Sequence, residues 1–205
     1  MHRSLCLFLA IAASVPAATL IPEANFNSPA IMTFGTAGNF TSPAGYTEDG
    51  ATIRKTNSGS TIYVYSGTLD PDLFPSTTSI DVIFPSLMDR FGFVANPSIH
   101  TSRNMQIASV TFFSNTAMTS ITETYSTAFD VTAADTFFGL QQGAGSFAAV
   151  RIVLNSLSGG GSFSPTIDDF RFEAGAVPEP ASFALLGIGA GSLVIAWRRR
   201  AASRR

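Results

Sequence analysis

Short segments in which apolar and polar residues alternate run through the middle of the sequence, from about residue 19 to residue 176. These segments are rich in β-branched and aromatic residues and are bounded by Gly, Pro, Asn, Asp and Ser, as β-strands are. No window of a dozen residues there has a helical period of 3.6. The period of two is clearest in three sets, which we expect to face a core: Phe91 and Phe93; Val150, Ile152 and Leu154; Phe170 and Phe172.

The alternating segments predict about ten strands and therefore an all-β fold. Ten strands in one domain of this size indicate two packed sheets, a jelly-roll-like β-sandwich rather than an immunoglobulin-like one. The predicted strands cover residues 31–34, 51–55, 61–66, 79–84, 90–94, 106–114, 120–125, 136–140, 147–154 and 166–173.

The charge of this middle segment differs from that of the whole chain. Residues 19–176 contain 13 Asp and Glu against 6 Lys and Arg, a net charge of −7, whereas the whole chain has −2 because its end is rich in arginine. No basic surface for nucleic acid is expected. An anionic polymer would need a bridging cation to bind such an acidic body.

The first 18 residues have the order of a secretory signal peptide. Arg3 precedes an apolar run over residues 5–13, and the small residues around Pro16 and Ala17 supply a cleavage site. The apolar run is too short for a membrane span, which needs about 20 residues. We therefore expect export by the Sec machinery and removal of the signal by signal peptidase, so that the mature chain begins near Ala18 or Thr19.

The sole cysteine of the sequence is Cys6, within the predicted signal peptide. The exported body is therefore expected to have no disulfide, no cysteine metal ligand and no cysteine nucleophile.

The C-terminal segment has three consecutive parts. An extended Pro-Glu-Pro stretch comes first, then an uncharged segment at about 181–197, then clustered arginines. Seventeen residues at a rise of 1.5 Å reach roughly 26 Å, enough for a thin transmembrane helix, and the arginines are expected to stay cytoplasmic. The residues concerned are Val177, Pro178, Glu179, Pro180, Ala181 and Ser182, followed by Arg198, Arg199 and Arg200.

This three-part order resembles the PEP-CTERM sorting signal of Gram-negative bacteria, over about residues 177–205. The resemblance implies recognition by an exosortase, a membrane transpeptidase or protease. It also implies an inner-membrane-anchored precursor that is passed to the cell surface or to an extracellular polysaccharide matrix. Such proteins accompany exopolysaccharide and biofilm genes. The predicted organisation is a signal peptide at 1–18, a body at 19–176 and a sorting signal at 177–205.

Three fragments of the body resemble the bodies of many PEP-CTERM proteins. They are Arg90-Phe-Gly-Phe-Val94, Thr136-Phe-Phe-Gly-Leu140 and Ile167-Asp-Asp-Phe-Arg-Phe172. Those bodies are similar to the β-sandwiches of carbohydrate-binding modules. The resemblance implies the same fold here and offers the cell's own exopolysaccharide as a ligand.

Catalytic residues are sparse, so we expect no enzyme. The body has one histidine, His100, in a polar loop, and the chain has no G-x-S-x-G nucleophile elbow. Paired carboxylates could hydrolyse glycosides, which leaves a small secreted glycan hydrolase as the competing class. The candidate acids include Glu48, Asp49, Asp70, Asp72, Glu123, Asp168 and Asp169.

Two further sites are candidates. Asp168 shares the parity of Phe170 and would face the core of a regular strand, where an unpaired carboxylate is costly. Calcium held by Asp168 and Asp169, an Arg171 partner or a bulge would each resolve this conflict; an exposed position at the strand start is the alternative. Tyr63 and Tyr65 share one face of a strand and would form a glycan platform if Ile62 and Val64 faced inward.

Overall fold

Strands make up most of the part of the chain that a computed structural model describes. That part comprises residues 17–35, 40–42, 45–56, 62–65, 68–70, 77–97, 104–143, 146–157 and 165–175, with the side chains of 40–42, Tyr65 and Asp70 excepted. The chain divides into two compact units, Met1–Ala174 and Gly175–Arg205. Of the second unit, only Gly175 belongs to the described residues.

Within those ranges there are fifteen strands and one 3₁₀ helix, Glu23–Asn25. The strands are β1 (Thr19–Leu20), β2 (Ala30–Met32), β3 (Phe40–Ser42), β4 (Tyr46–Glu48), β5 (Ala51–Lys55), β6 (Ile62–Tyr65), β7 (Thr68–Asp70), β8 (Thr77–Met88), β9 (Arg90–Asn96), β10 (Met105–Phe113), β11 (Ile121–Tyr125), β12 (Phe129–Val131), β13 (Thr136–Gln141), β14 (Phe147–Ser156) and β15 (Thr166–Glu173).

The strands form two antiparallel sheets. Sheet A has the order β1-β13-β9-β15-β7-β6-β3, and β2 also pairs with β15. Sheet B has the order β11-β10-β14-β8-β5-β4, and β12 also pairs with β10. The predicted all-β sandwich of two packed sheets is therefore confirmed.

All ten predicted strands are present, and two of them, Ala51–Lys55 and Thr166–Glu173, have the predicted bounds. The prediction missed five strands, each only two or three residues long: β1, β3, β4, β7 and β12. So few residues are too short a stretch for a period of two to emerge.

The core lies between the sheets and is built largely from phenylalanine. Phe170 stacks on Phe91 and on Phe93, with ring centroids 5.7 Å and 5.6 Å away. Phe147 of sheet B meets Phe91 edge-on at 6.0 Å, which joins the two layers. The three sets predicted to face the core are all buried.

Within the described ranges, no helix is long and apolar enough to cross a membrane. The predicted transmembrane helix at about 181–197 lies outside those ranges. So does the predicted signal peptide, apart from Ala17 and Ala18.

Candidate functional site

The predicted sorting motif, from Val177 to Ser182, and the basic residues Arg198, Arg199 and Arg200 lie outside the described residues. The structure describes the chain up to Gly175, and the last strand, β15, ends at Glu173. The described strands therefore end shortly before the predicted motif begins.

A β-bulge determines where Asp168 lies. The register between β15 and β9 shifts between Asp168 and Arg171, and Asp169 has a left-handed φ of +45°. The extra residue lets Ile167 and Phe170 both face the core, while Asp168 and Asp169 are only half-buried. Of the three arrangements that could relieve a buried Asp168, the bulge is present.

The carboxylate of Asp168 is in an unfavourable environment for its charge. Burial raises its pKa, and repulsion from Asp169 and Asp135 adds to the increase. The backbone N–H of Asp169 donates to Oδ1 of Asp168 at 2.7 Å and offsets part of the effect.

Arg171 pairs with other carboxylates. Its guanidinium contacts Glu23, and its Nη2 lies 3.4 Å from Oδ2 of Asp169. No group of three or more His, Cys, Asp and Glu side chains in the described ranges could hold a metal ion. Calcium at Asp168 and Asp169 stays a prediction.

The outward face of sheet A beside this bulge is occupied by the chain's own side chains. The guanidinium carbon of Arg171 lies 5.9 Å from the centroid of the Phe137 ring. Phe26 meets the same ring edge-on, with centroids 5.9 Å apart. Phe137 is consequently half-buried, and the side chains that cover it belong to the same chain.

Tyr63 lies on the outward face of sheet A. Its neighbours Ile62 and Val64 are fully buried, so the aliphatic face of β6 is inward and Tyr63, half-buried, points the other way. This is the orientation that a glycan platform requires. The side chain of Tyr65 lies outside the described part, and the platform stays a prediction.

An ion pair between a buried aspartate and a half-buried arginine, on the outward face of sheet B, was not predicted from the sequence. Asp81 is only 2% exposed and accepts two hydrogen bonds from Arg151, Nε to Oδ1 at 2.7 Å and Nη2 to Oδ2 at 3.1 Å. Thr56 donates a third, at 2.9 Å. The hydrogen bond to Asp81 raises the pKa of Arg151. Alternation places both residues on outward faces, but only the strand register shows that they are opposite each other.

Two other carboxylates hold the backbone. Glu48 accepts from the N–H of Phe34 at 2.9 Å and from the hydroxyl of Tyr46 at 3.0 Å. Glu173 accepts from the N–H groups of Asn27 and Ser28 at 3.1 Å and 3.2 Å. Like Asp81, these carboxylates are engaged in maintaining the fold.

Comparison with known proteins identifies the C-terminal segment. A family model described as the PEP-CTERM protein-sorting motif matches residues 176–200. No curated protein and no solved structure matches the chain, so the resemblance of the body to carbohydrate-binding modules is not confirmed. The motif implies export, a membrane-anchored precursor and recognition by an exosortase. The chain thus carries a C-terminal PEP-CTERM protein-sorting motif, the kind of segment that exosortases recognise.

Proposed function

We propose that this chain is a non-catalytic surface or extracellular-matrix protein of a Gram-negative bacterium, which an exosortase releases from the inner membrane. The observation that carries the proposal is the match of residues 176–200 to the sorting motif. The described strands of the sandwich end at Glu173, so removal of the tail would leave them intact.

Each part of the tail has a physical role in this proposal. Proline favours an extended backbone, so we expect Pro178 and Pro180 to present Glu179 to an enzyme that binds it as a strand. The uncharged segment at about 181–197 holds that backbone close to the membrane. The arginines oppose translocation and keep the body on the exported side.

A non-catalytic body is supported by the use of its carboxylates. Asp81 is neutralised by Arg151, and Glu48 and Glu173 are hydrogen-bonded to backbone N–H groups. An acid and base pair for glycoside hydrolysis needs two carboxylates facing one cleft. These three carboxylates instead bind groups of the protein itself.

Carbohydrate binding is the second candidate, and the outward orientation of Tyr63 favours it. Aromatic rings stack on sugar rings, so Tyr63→Ala should weaken retention of the body on exopolysaccharide purified from the same cells. Leu87→Ala removes a large exposed side chain that is not aromatic, 52% exposed, and is the control. Equal retention of both variants and the wild type would exclude Tyr63 as a glycan contact.

The sorting proposal is tested by the triple variant Pro178→Ala/Glu179→Ala/Pro180→Ala in a host that has an exosortase. We expect the variant to remain full-length in the inner membrane, while the wild type yields a shorter body at the surface or in the medium. Mass spectrometry should place the new C-terminus near the motif. The double variant Ala174→Gly/Gly175→Ala, just upstream, should be processed like the wild type.

Two results would contradict the proposal. A wild-type chain that stays full-length and membrane-bound beside an active exosortase would make the tail a plain anchor. Release of the triple variant at the wild-type rate would show that the prolines and Glu179 are not recognised.

A further inference from the structure

Side chains of the sandwich hold the segment that begins at Ala18. Ala17, just before it, is exposed, whereas Ala18 is only 8% exposed. From Ala18 onward the backbone is attached to both sheets, through β1 pairing with β13 and through polar contacts. The contacts are Glu123 to the N–H of Ala18, Arg171 to Glu23, Arg90 to the carbonyl of Asn25, and Glu173 to the N–H groups of Asn27 and Ser28.

The first of these contacts links the two sheets. The N–H of Ala18 donates to Oε1 of Glu123, which lies in β11 at the edge of sheet B. Thr19, the next residue, begins β1 at the edge of sheet A. The nitrogen of Ala18 is therefore placed where the two sheet edges meet.

Two buried oxygens at this position lack donors among the described residues: Oε2 of Glu123 and Oε1 of Gln142. Thr19 pairs with Gln141 in antiparallel register, which places Ala18 beside Gln142. A buried acceptor without a donor costs about 1–3 kcal/mol, and more when it is charged. The amide nitrogen of Ala18 offers a single proton, so it can serve just one of the acceptors around it.

We propose that signal peptidase cuts between Ala17 and Ala18, and that the new α-ammonium group of Ala18 forms an ion pair with Glu123 that locks the folded body. Water adds to the carbonyl of Ala17 and the peptide bond breaks, leaving a carboxylate on Ala17 and an ammonium group on Ala18. The ammonium group has three N–H donors and a positive charge. The amide that it replaces had one N–H donor and no charge. The ammonium group can donate to both carboxylate oxygens of Glu123 and to Oε1 of Gln142.

The sequence around the cut fits this position. Val15 and Ala17 are the small residues that would lie third and first before the cleaved bond. A cut one residue later would remove Ala18, whose N–H is the donor to Glu123. The proposal thus fixes the first residue of the mature chain and ties the stability of the body to its export. It rests on the export part of the proposed function and does not depend on processing of the tail.

The experiment uses the full chain, exported in a bacterium and recovered from membranes in detergent. N-terminal sequencing should give Ala18 first. A variant with Gly-Ser inserted between Ala17 and Ala18 keeps the residues before the cut but moves the ammonium two residues from Glu123. The temperature at which half the protein becomes sensitive to thermolysin should fall by about 3–10 °C in this variant.

Glu123→Gln provides the matched background because it keeps the shape of the side chain and removes its charge. In that background the insertion should lower the midpoint much less, since no ion pair remains to be broken. A first residue other than Ala18, or an insertion that costs the same with Glu123 and with Gln, would overturn the proposal. All these measurements are made on the chain with its tail, so failure of exosortase processing would leave their outcome unchanged.

Discussion

The ring of Phe137 lies over Gly92 of the neighbouring strand, so closely that a Cβ atom on Gly92 would be 2.6 Å from Cζ of Phe137. Gly139 is paired with Gly92, and a Cβ atom there would be 2.7 Å from Cε1 of the same ring. The two glycines therefore form a shallow depression on sheet A that the ring fills. An aromatic side chain over glycines in a strand covers backbone that would otherwise be exposed to solvent.

Replacing either glycine by alanine should destabilise the sandwich by about 1–3 kcal/mol, because the added methyl group meets the ring and nearby backbone. Urea unfolding followed by circular dichroism measures the loss. Gly35→Ala is the control, since its Cβ would have an ordinary contact of 3.5 Å with Thr33. A Gly92→Ala variant as stable as Gly35→Ala would contradict the close approach of Phe137.

The pair formed by Asp81 and Arg151 predicts unequal effects for two arginines that face the same carboxylate. Arg151→Gln leaves the buried carboxylate of Asp81 without its two charged donors, and should cost about 2–3 kcal/mol. Arg54 is 4.0 Å from Asp81 and 44% exposed, so Arg54→Gln should cost less than about 1 kcal/mol. Equal losses in urea unfolding would show that the bidentate contact with Arg151 adds nothing.

Reductant should not change the thermal midpoint of the exported protein. The single cysteine of the chain, Cys6, lies in the predicted signal peptide, so the mature body has no thiol to oxidise or reduce. Melting curves with and without dithiothreitol provide the measurement. A clear shift would show that the recovered protein still contains Cys6.

Local alternation allowed much of the fold to be predicted, as β15 illustrates. Phe170 and Phe172 follow a period of two, and the strand begins and ends at the predicted residues. The turn that follows β4 also has a sequence signal from which this strand could have been predicted. Asp49 and Gly50 both have positive φ, at 49° and 79°, and form the two-residue turn between β4 and β5 that an Asp-Gly sequence favours.

The remaining features depend on which strands become neighbours. Asp81 meets Arg151 because β8 pairs with β14, and Ala18 meets Glu123 because two sheet edges come together. Residues so far apart in sequence leave no periodic signal of their contact. The bulge at Asp168 could not be predicted either, because it is a shift in the register between β15 and β9, and the sequence does not show that these two strands pair.

The environment of Asp168 predicts a specific dependence of stability on pH. The folded state raises the pKa of this carboxyl above its unfolded value, first by burial and then by repulsion from Asp169 and Asp135. Folding therefore carries no such penalty at pH 3, where the carboxyl is protonated in both states. The penalty develops as pH rises from about 4, the unfolded pKa, through the folded pKa.

Asp168→Asn removes that charge and keeps an oxygen that can accept the hydrogen bond from the N–H of Asp169. The thermal midpoint of the variant, relative to the wild type, should therefore increase from pH 3 upward and level off near neutral pH. The difference at pH 3 is the internal control for the substitution itself. A difference that stays constant across this range would contradict the raised pKa.

Calcium held by Asp168 and Asp169 would remove the same penalty by another route. A bound cation offsets the repulsion among these carboxylates, so calcium should raise the neutral-pH midpoint of the wild type and a chelator should lower it. Asp168→Asn should be insensitive to both, because it has lost the charge on which the ion depends. Magnesium at the same concentration controls for general screening of charge. A wild-type melt that is identical in calcium and in chelator would exclude the calcium site, and the bulge alone would then account for the position of Asp168.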